Sequence, residues 1–265
     1  MKAADKFVDV KSGWRWGVPL FAGIALAVLL LSGQNLNLFL WLNHLFSHAP
    51  DALWTHLSLL ADGQFIVLFM LPFIGRRPQV VWQFILALML GGIYVPGMKE
   101  FFSELRPPAV LEEGVFHLIG PALEYNAFPS GHTTAAFAIA GLVCLYHLDY
   151  RLKVTAVVIA TFVGFSRIAN GVHWPLDVLA GMAGGWLIAN GAVWWSMYWQ
   201  AGVQLKVQRV FAFILVPLSI WSVWSLWMQL DDVYPGTGLM KTLFLVTCLG
   251  LAYPGLRRLM KRDLG

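Results

Sequence analysis

Apolar residues fall into eight long blocks separated by short polar stretches, at positions 16–32, 57–75, 79–97, 131–148, 152–169, 175–195, 210–228 and 240–256. A helix needs about 20 mostly apolar residues to cross a bilayer, because every backbone N–H and C=O must find its partner within the segment. The pattern therefore predicts an all-α, polytopic transmembrane helix bundle with eight spans. The block at 36–46 is apolar but short and rich in Asn, and reads as a segment lying in the membrane interface. No small-residue cleavage site follows the first block, which reads as a retained span and not as a cleavable signal peptide. Nothing marks a soluble domain, a low-complexity tract or a repeat, so residues 1–265 read as one membrane domain. Gly181, Gly185 and Ala189 recur every four residues in the sixth block, a stripe that lets a neighbouring backbone approach closely.

Composition agrees with this pattern. The chain is 58% hydrophobic and only 12% charged, too little polar surface to coat a water-soluble globule of this size. A net charge of +4 would suit nucleic acid only if the cations formed a contiguous patch facing water, and here they are scattered between apolar blocks. Cys144 and Cys248 each lie inside an apolar block, so neither a disulfide nor a cysteine metal site is expected.

The charges orient the bundle. With both termini cytoplasmic, the inner segments hold Lys2, Lys6, Lys11, Arg15, Arg76, Arg77, Arg151, Lys153, Lys206, Arg209, Arg257, Arg258, Lys261 and Arg262, which is 14 of the 18 Lys and Arg. Only Lys99, Arg106, Arg167 and Lys241 remain outside, against the trend. Tryptophans at 14, 16, 194, 195, 199, 224 and 227 cluster at the predicted boundaries, where an amphipathic ring suits the headgroup layer.

Three polar elements fall at outer ends of spans. Lys99 and Arg106 are seven apart, nearly two helical turns, and would share a face if the third helix continued to the stop at Pro107 and Pro108. Ser130, Gly131 and His132 open the fourth block, where an N-cap hydroxyl, unpaired backbone N–H groups and an imidazole gather at the positive end of a helix. Ser166, Arg167, His173 and Asp177 span the turn between the fifth and sixth blocks. Pro175 suits a first helical turn there, leaving Asp177 able to reach back to the His173 ring and fix its tautomer. Each element alone has an ordinary explanation, as a juxtamembrane segment, a turn or a helix start. Their convergence on one membrane face does not.

Lys99-x6-Arg106-Pro107, Pro129-Ser130-Gly131-His132 and Ser166-Arg167-x5-His173-x3-Asp177 together resemble the three-part signature of the type 2 phosphatidic acid phosphatase superfamily. The resemblance runs from about residue 57 to 195. It implies a six-helix phosphatase core, followed here by two additional C-terminal helices. It further implies that His173 attacks phosphorus, Asp177 orients its ring, and His132 serves the leaving group and then the hydrolytic water. Lys99, Arg106, Arg167, Ser130, Gly131 and Ser166 would hold the phosphoryl oxygens, with no metal or other cofactor and no obligate protein partner.

The resemblance places such an enzyme in a bacterial inner membrane, its site facing the periplasm or exterior, with a lipid phosphate as substrate. Undecaprenyl pyrophosphate and a glycerolipid phosphate lead, and lipid A phosphate is an alternative. A lipid-to-lipid phosphotransferase, an inactive binding relative and a transporter remain as rivals. A transporter would hold its charges near mid-bilayer.

Other polar residues attract weaker expectations. His44, His48, Asp51 and His56 have a spacing that could bind zinc, though interfacial polarity accounts for them. Asp62 could touch substrate or face water, and His117 and Glu124 could line the mouth of the pocket. Glu104, Glu112 and Glu113 are expected to face solvent. Pro217 is expected to kink the seventh helix, and the segment 231–235 to form an outer loop.

Overall fold

The computed structural model describes residues 13–146, 148–230 and 237–261, without the side chains of residues 64, 226–230, 237, 238 and 261. The expectations placed on Lys2, Lys6, Lys11, Arg262, the 231–235 segment and the Trp227 and Lys261 side chains lie outside the described set. Among the described residues the chain is helical, without strands. Six helices are long and apolar enough to cross a membrane, and a seventh apolar helix is shorter. The all-α, multi-pass architecture is thus observed. Helix faces rich in exposed Leu, Ile and Phe, such as Leu20, Phe21, Ile24 and Leu31, suit lipid and not water.

The chain forms two compact units. The larger holds the described residues up to Ala61 together with Ala87–Gly191, and the smaller holds Asp62–Leu86 and the chain from Ala192 onward. The larger unit contains α1 (Trp14–Ser32), α2 (Asn35–Phe46), α3 (Asp51–Leu59), a single turn α6 (Pro107–Val110), α7 (Gly131–Leu145) and α8 (Tyr150–Ala169). It also takes the C-terminal part of α5 (Pro78–Phe102) and the N-terminal part of α9 (Pro175–Tyr198). The remaining parts of α5 and α9 lie in the smaller unit, together with α4 (Gly63–Ile66), α10 (Leu205–Leu230) and α11 (Thr237–Lys261).

In the larger unit, Phe137, Ala140 and Cys144 of α7, Ala160 and Val163 of α8 and Trp186 of α9 form a buried apolar core with Val18 of α1. Trp186 donates its indole N–H to the Trp14 carbonyl at 3.0 Å, so the largest ring of the core is also satisfied as a donor. The glycine stripe of α9 does what its spacing suggests. A Cβ at Gly181 would lie 2.8 Å from the Ser130 carbonyl, and one at Gly185 would lie 2.1 Å from the Thr134 carbonyl. The first turn of α7 and the second and third turns of α9 therefore touch backbone to backbone, which only glycine permits.

Two expectations need correction. The block at 57–75 is not a continuous span: α3 stops at Leu59, α4 is one turn, and residues Val67–Phe73 wind as a 3-10 helix. Pro72 removes an N–H and crowds the carbonyl four residues earlier, and the chain turns at Asp62, whose carbonyl accepts from Phe65 and Ile66. The block is apolar because Leu68, Met70, Leu71 and Ile74 are buried in protein, where non-helical backbone is tolerated. Secondly, α7 has 15 residues, a rise of about 22 Å, less than the hydrocarbon thickness of about 30 Å. The 36–46 segment is a helix too short to span, with one packed face, since Phe39 and Asn43 are buried while Leu36, Trp41 and Leu45 are exposed. Pro217 lies within α10, which continues through it.

In the smaller unit, Phe65 stacks on Phe244 of α11 at 4.7 Å between centroids, with Phe69 against the same ring. Gln208 donates to the carbonyls of Pro78 and Gly202. Cys144 in the larger unit and Cys248 in the smaller are both buried free thiols.

Candidate active site

The site lies wholly in the larger unit. The α8–α9 turn is its centre. Pro175 opens α9, as its fixed φ and missing N–H favour, which leaves His173 two residues before the helix and Asp177 in its first turn. One carboxylate oxygen of Asp177 serves two donors: it accepts from the Trp174 backbone N–H at 2.8 Å and meets His173 Nδ1 at 3.2 Å. The same carboxylate thus caps the helix and holds the imidazole. With Asp177 ionised the carboxylate can only accept, which would place the proton on Nδ1 and leave Nε2 its lone pair. Both residues are buried, at 2% exposure each.

The Ser130–His132 turn is joined to this centre through the backbone, for the Ser130 N–H donates to the Asp177 carbonyl at 3.0 Å. Ser130 is the N-cap of α7: its hydroxyl accepts from the Thr133 N–H at 3.4 Å and from the Thr133 hydroxyl at 3.0 Å. Ser166 donates to the Val163 carbonyl of its own helix at 2.7 Å. Both serine hydroxyls are fully buried and already engaged, which makes them supports of the turn as much as ligands for an oxyanion.

The three cations arrive by different routes. Lys99 is half-buried on the last turns of α5. The continuous helix expected to carry Lys99 and Arg106 together is not formed: α5 ends at Phe102, Ser103 takes a positive φ of 49°, and Arg106 is extended as the N-cap residue of α6. Buried Arg106 instead gathers backbone carbonyls, those of Tyr125 at 2.7 Å, Asn126 at 3.3 Å and Val172 at 3.4 Å. A guanidinium has five N–H donors, so three such bonds leave two for another oxygen. Arg167 is buried at the end of α8 and donates to the Ser58 hydroxyl of α3. Of the four cations assigned to the outer side, these three converge on one imidazole: Arg106, Arg167 and Lys99 all act electrostatically on His173, as does His132. Burial first, and then these neighbouring positive charges, hold His173 well below the ordinary imidazole range.

The fourth outer cation is elsewhere. Lys241 is fully buried in the smaller unit, in the field of Asp62. His117, expected at the pocket mouth, pairs with Asp51 at 2.8 Å. His48, just past the end of α2, and His56 in α3 each point a ring nitrogen at the carbonyl four residues back, and among the described residues no three His, Cys, Asp or Glu side chains form a metal-holding group.

Residues absent from the sequence expectations also reach this region. Ser58 holds Arg167, Asn43 bonds the end of α8, and Asn35 caps the start of α9. The one signal available for them was polarity inside apolar sequence, an indication of a specific partner.

The PAP2 superfamily model matches residues 80–201, which include Lys99, Arg106, both histidines and Asp177. The putative undecaprenyl-diphosphatase YbjG of Escherichia coli (strain K12) is 31% identical over 194 residues, which make up 68% of this chain and 90% of that protein. The chain belongs to the PAP2 superfamily. The chain is also 36% identical over 113 residues to a lipid A 1-phosphatase of Porphyromonas gingivalis, a match covering 41% of this chain. The chain spans 22% of that protein and about half, 50–52%, of three further curated relatives. Among solved structures, Aquifex aeolicus LpxE is 33% identical with a TM-score of 0.51, the match covering 60% of this chain and 94% of that one.

Proposed function

We propose that this PAP2 protein hydrolyses the phosphate ester of a membrane lipid through a phosphohistidine on His173. One observation carries the proposal: a buried His173–Asp177 pair lies in the combined field of Lys99, Arg106 and Arg167. A neutral imidazole held by a carboxylate in the field of three cations is equipped to attack phosphorus. His173 Nε2 forms the N–P bond to the terminal phosphorus while its P–O bond to the leaving group breaks, a lipid alkoxide from a monophosphate or a lipid phosphate from a diphosphate, and His132 gives its proton to the departing oxygen. His132 then takes a proton from water, whose oxygen attacks phosphorus, breaking the N–P bond and releasing inorganic phosphate. The three cations and the N–H groups at the start of α7 offset the charge gathered on the phosphoryl oxygens.

The placement of the site supports a substrate entering from the outer headgroup layer of a bacterial cytoplasmic membrane. The charge pattern of the flanking segments puts that end of the helices outside. The leading substrate is undecaprenyl diphosphate, favoured by the likeness to YbjG over 90% of that protein's length. A lipid A 1-phosphate is the second reading, favoured by the identity to a lipid A 1-phosphatase over 113 residues. The test is a panel of radiolabelled lipid phosphates offered to the purified protein in detergent, with and without EDTA. Release of labelled inorganic phosphate, unaffected by EDTA and abolished in His173→Ala, is expected. Label passing to a second lipid would instead identify a transferase, and full activity in His173→Ala would overturn the nucleophile.

A further inference from the structure

The helix α2 lies outside the PAP2 match and carries none of the signature residues, yet one of its faces is committed to the turn that holds them. Asn35, Phe39 and Asn43 are spaced by four, so they share a face with a drift of only about 40° per step. Each touches the α8–α9 turn or the loop against it. Asn35 Oδ1 accepts from the Leu176 N–H at 3.1 Å, in the first turn of α9. Phe39 is fully buried and packs edge-on against Trp174 at 5.0 Å and Phe116 at 5.6 Å.

Asn43 makes the most bonds. It is 1% exposed, and its amide NH2 faces the carbonyls of Ile168 at 3.0 Å, Ala169 at 3.3 Å and His117 at 2.9 Å, while its Oδ1 accepts from the His117 N–H at 2.7 Å. The last carbonyls of a helix have no partner within it. Asn43 supplies one to the last turn of α8, which carries Arg167, and clips the 116–119 loop to the same place. Gly171, at φ +74°, lies where a Cβ would come within 2.8 Å of the His117 carbonyl, so the loop and the turn are in direct contact. Ile119 extends that contact by donating to the Asn170 carbonyl at 3.2 Å.

We infer that α2 is the brace of the catalytic turn, and that Asn43 is a positioning residue that sets Arg167 and His173 against the same phosphoryl group. The inference rests on the phosphatase function proposed above for its kinetic consequence, but not for its structural one. Arg167 precedes the Asn43-bound carbonyls by one and two residues, and His173 follows them by four and five. Loss of the bonds frees both ends of the segment that must present a cation and a nucleophile together. Misplacement of reacting groups by about 1 Å is enough to cost on the order of 100-fold in rate.

The experiment combines phosphate release with amide hydrogen exchange on the full-length protein in detergent. Asn43→Ala should lower kcat by about 10- to 100-fold with KM changed by less than about threefold. The acid limb of its pH profile should move up toward the ordinary imidazole value of about 6.5, because a loosened turn no longer buries His173. Exchange should rise across 168–177 and stay unchanged in α10 and α11. Asn43→Asp keeps the acceptor for His117 but loses the donors, and should fall between wild type and Asn43→Ala. Where Asn43→Ala does not fold, Asn35→Ala removes a single bond and should give the same pattern at about three- to tenfold in kcat. Unchanged exchange at 168–177, or a loss of activity with an unmoved pH profile, would overturn the brace. A wild-type protein that released no phosphate from any lipid would sink the proposed function, while the exchange measurement would still decide on the brace.

Discussion

The two compact units bury polar groups in different ways. In the smaller unit, hydroxyls return to their own helices: Ser219 donates to Leu215 and Ser222 to Leu218, each four residues back. Such bonds satisfy a donor locally and connect nothing. Long-range bonds occur in both units, Gln208 reaching Pro78 and Gln83 reaching Ser196 in the smaller, but in the larger they gather on buried arginines and an amide around one turn. Arg106 bonds carbonyls of Tyr125, Asn126 and Val172, Arg167 bonds Ser58, and Asn43 bonds His117, Ile168 and Ala169. Charge follows the same division. The smaller unit buries Lys241 beside Asp62, whereas the larger buries two arginines, a histidine and an aspartate about one turn. A buried charge is tolerated only with partners. The difference teaches that an extended hydrogen-bond network, and not an isolated pair, marks where charge is held for chemistry.

The sharpest way to break that contrast is to remove groups from each unit and compare. His173→Ala should reduce phosphate release to below ~10⁻⁴ of wild type with the thermal midpoint in detergent nearly unchanged. Asp177→Asn keeps the shape but offers the wrong partner to Nδ1, and a loss of about 10³- to 10⁴-fold in kcat is expected from the precedent of a hydrogen-bonded His–Asp pair; a loss under tenfold would remove Asp177 from the orienting role. Gly185→Val tests the backbone contact beneath the site. Its Cβ cannot fit 2.1 Å from the Thr134 carbonyl, so unfolding should be easier by about 1–3 kcal/mol, seen as a lower midpoint in thermal melts.

The pH dependence has a definite sign. His173 is depressed by burial and by Arg106, Arg167 and Lys99, so the neutral nucleophile persists below the ordinary imidazole value of about 6.5. The acid limb of kcat/KM should therefore lie below pH ~6.5. The unfolded chain binds this proton more readily, so stability from His173 is complete above about pH 6.5 and is lost as pH falls toward the folded value. An acid limb above 7 would contradict the electrostatic picture. The smallest effect is expected in the smaller unit: Lys241→Met should leave kcat within about threefold, since the lysine touches no reacting group. A hundredfold loss there would erase the distinction between the units.

Much of this was legible in the residues. The apolar blocks announced a multi-pass helical protein, and the spacing of His173, Pro175 and Asp177 announced a ring held by a carboxylate one turn on. The glycine stripe of α9 announced a close helix contact. These succeed because they are local: a helix repeats every 3.6 residues and a capping residue acts within four. The block at 57–75 misled because hydropathy measures whether a side chain avoids water, and burial in protein and exposure to lipid satisfy it equally. Lys99 and Arg106 were joined by helical periodicity, but the chain leaves α5 at Phe102 and brings Arg106 in as an anchor for the 125–126 loop.

Taken by itself, then, the order of residues determined the helical class and the membrane setting and marked out the residues proposed to handle phosphate, since all three follow from side-chain chemistry and short-range period. Tertiary structure alone decided that three of the four outer cations meet at His173 while Lys241 does not, and that Asn35, Asn43 and Ser58 serve the same turn. Those partners lie as many as 141 residues apart in the chain, and no pattern within a helix encodes which distant carbonyl or N–H a buried amide will find.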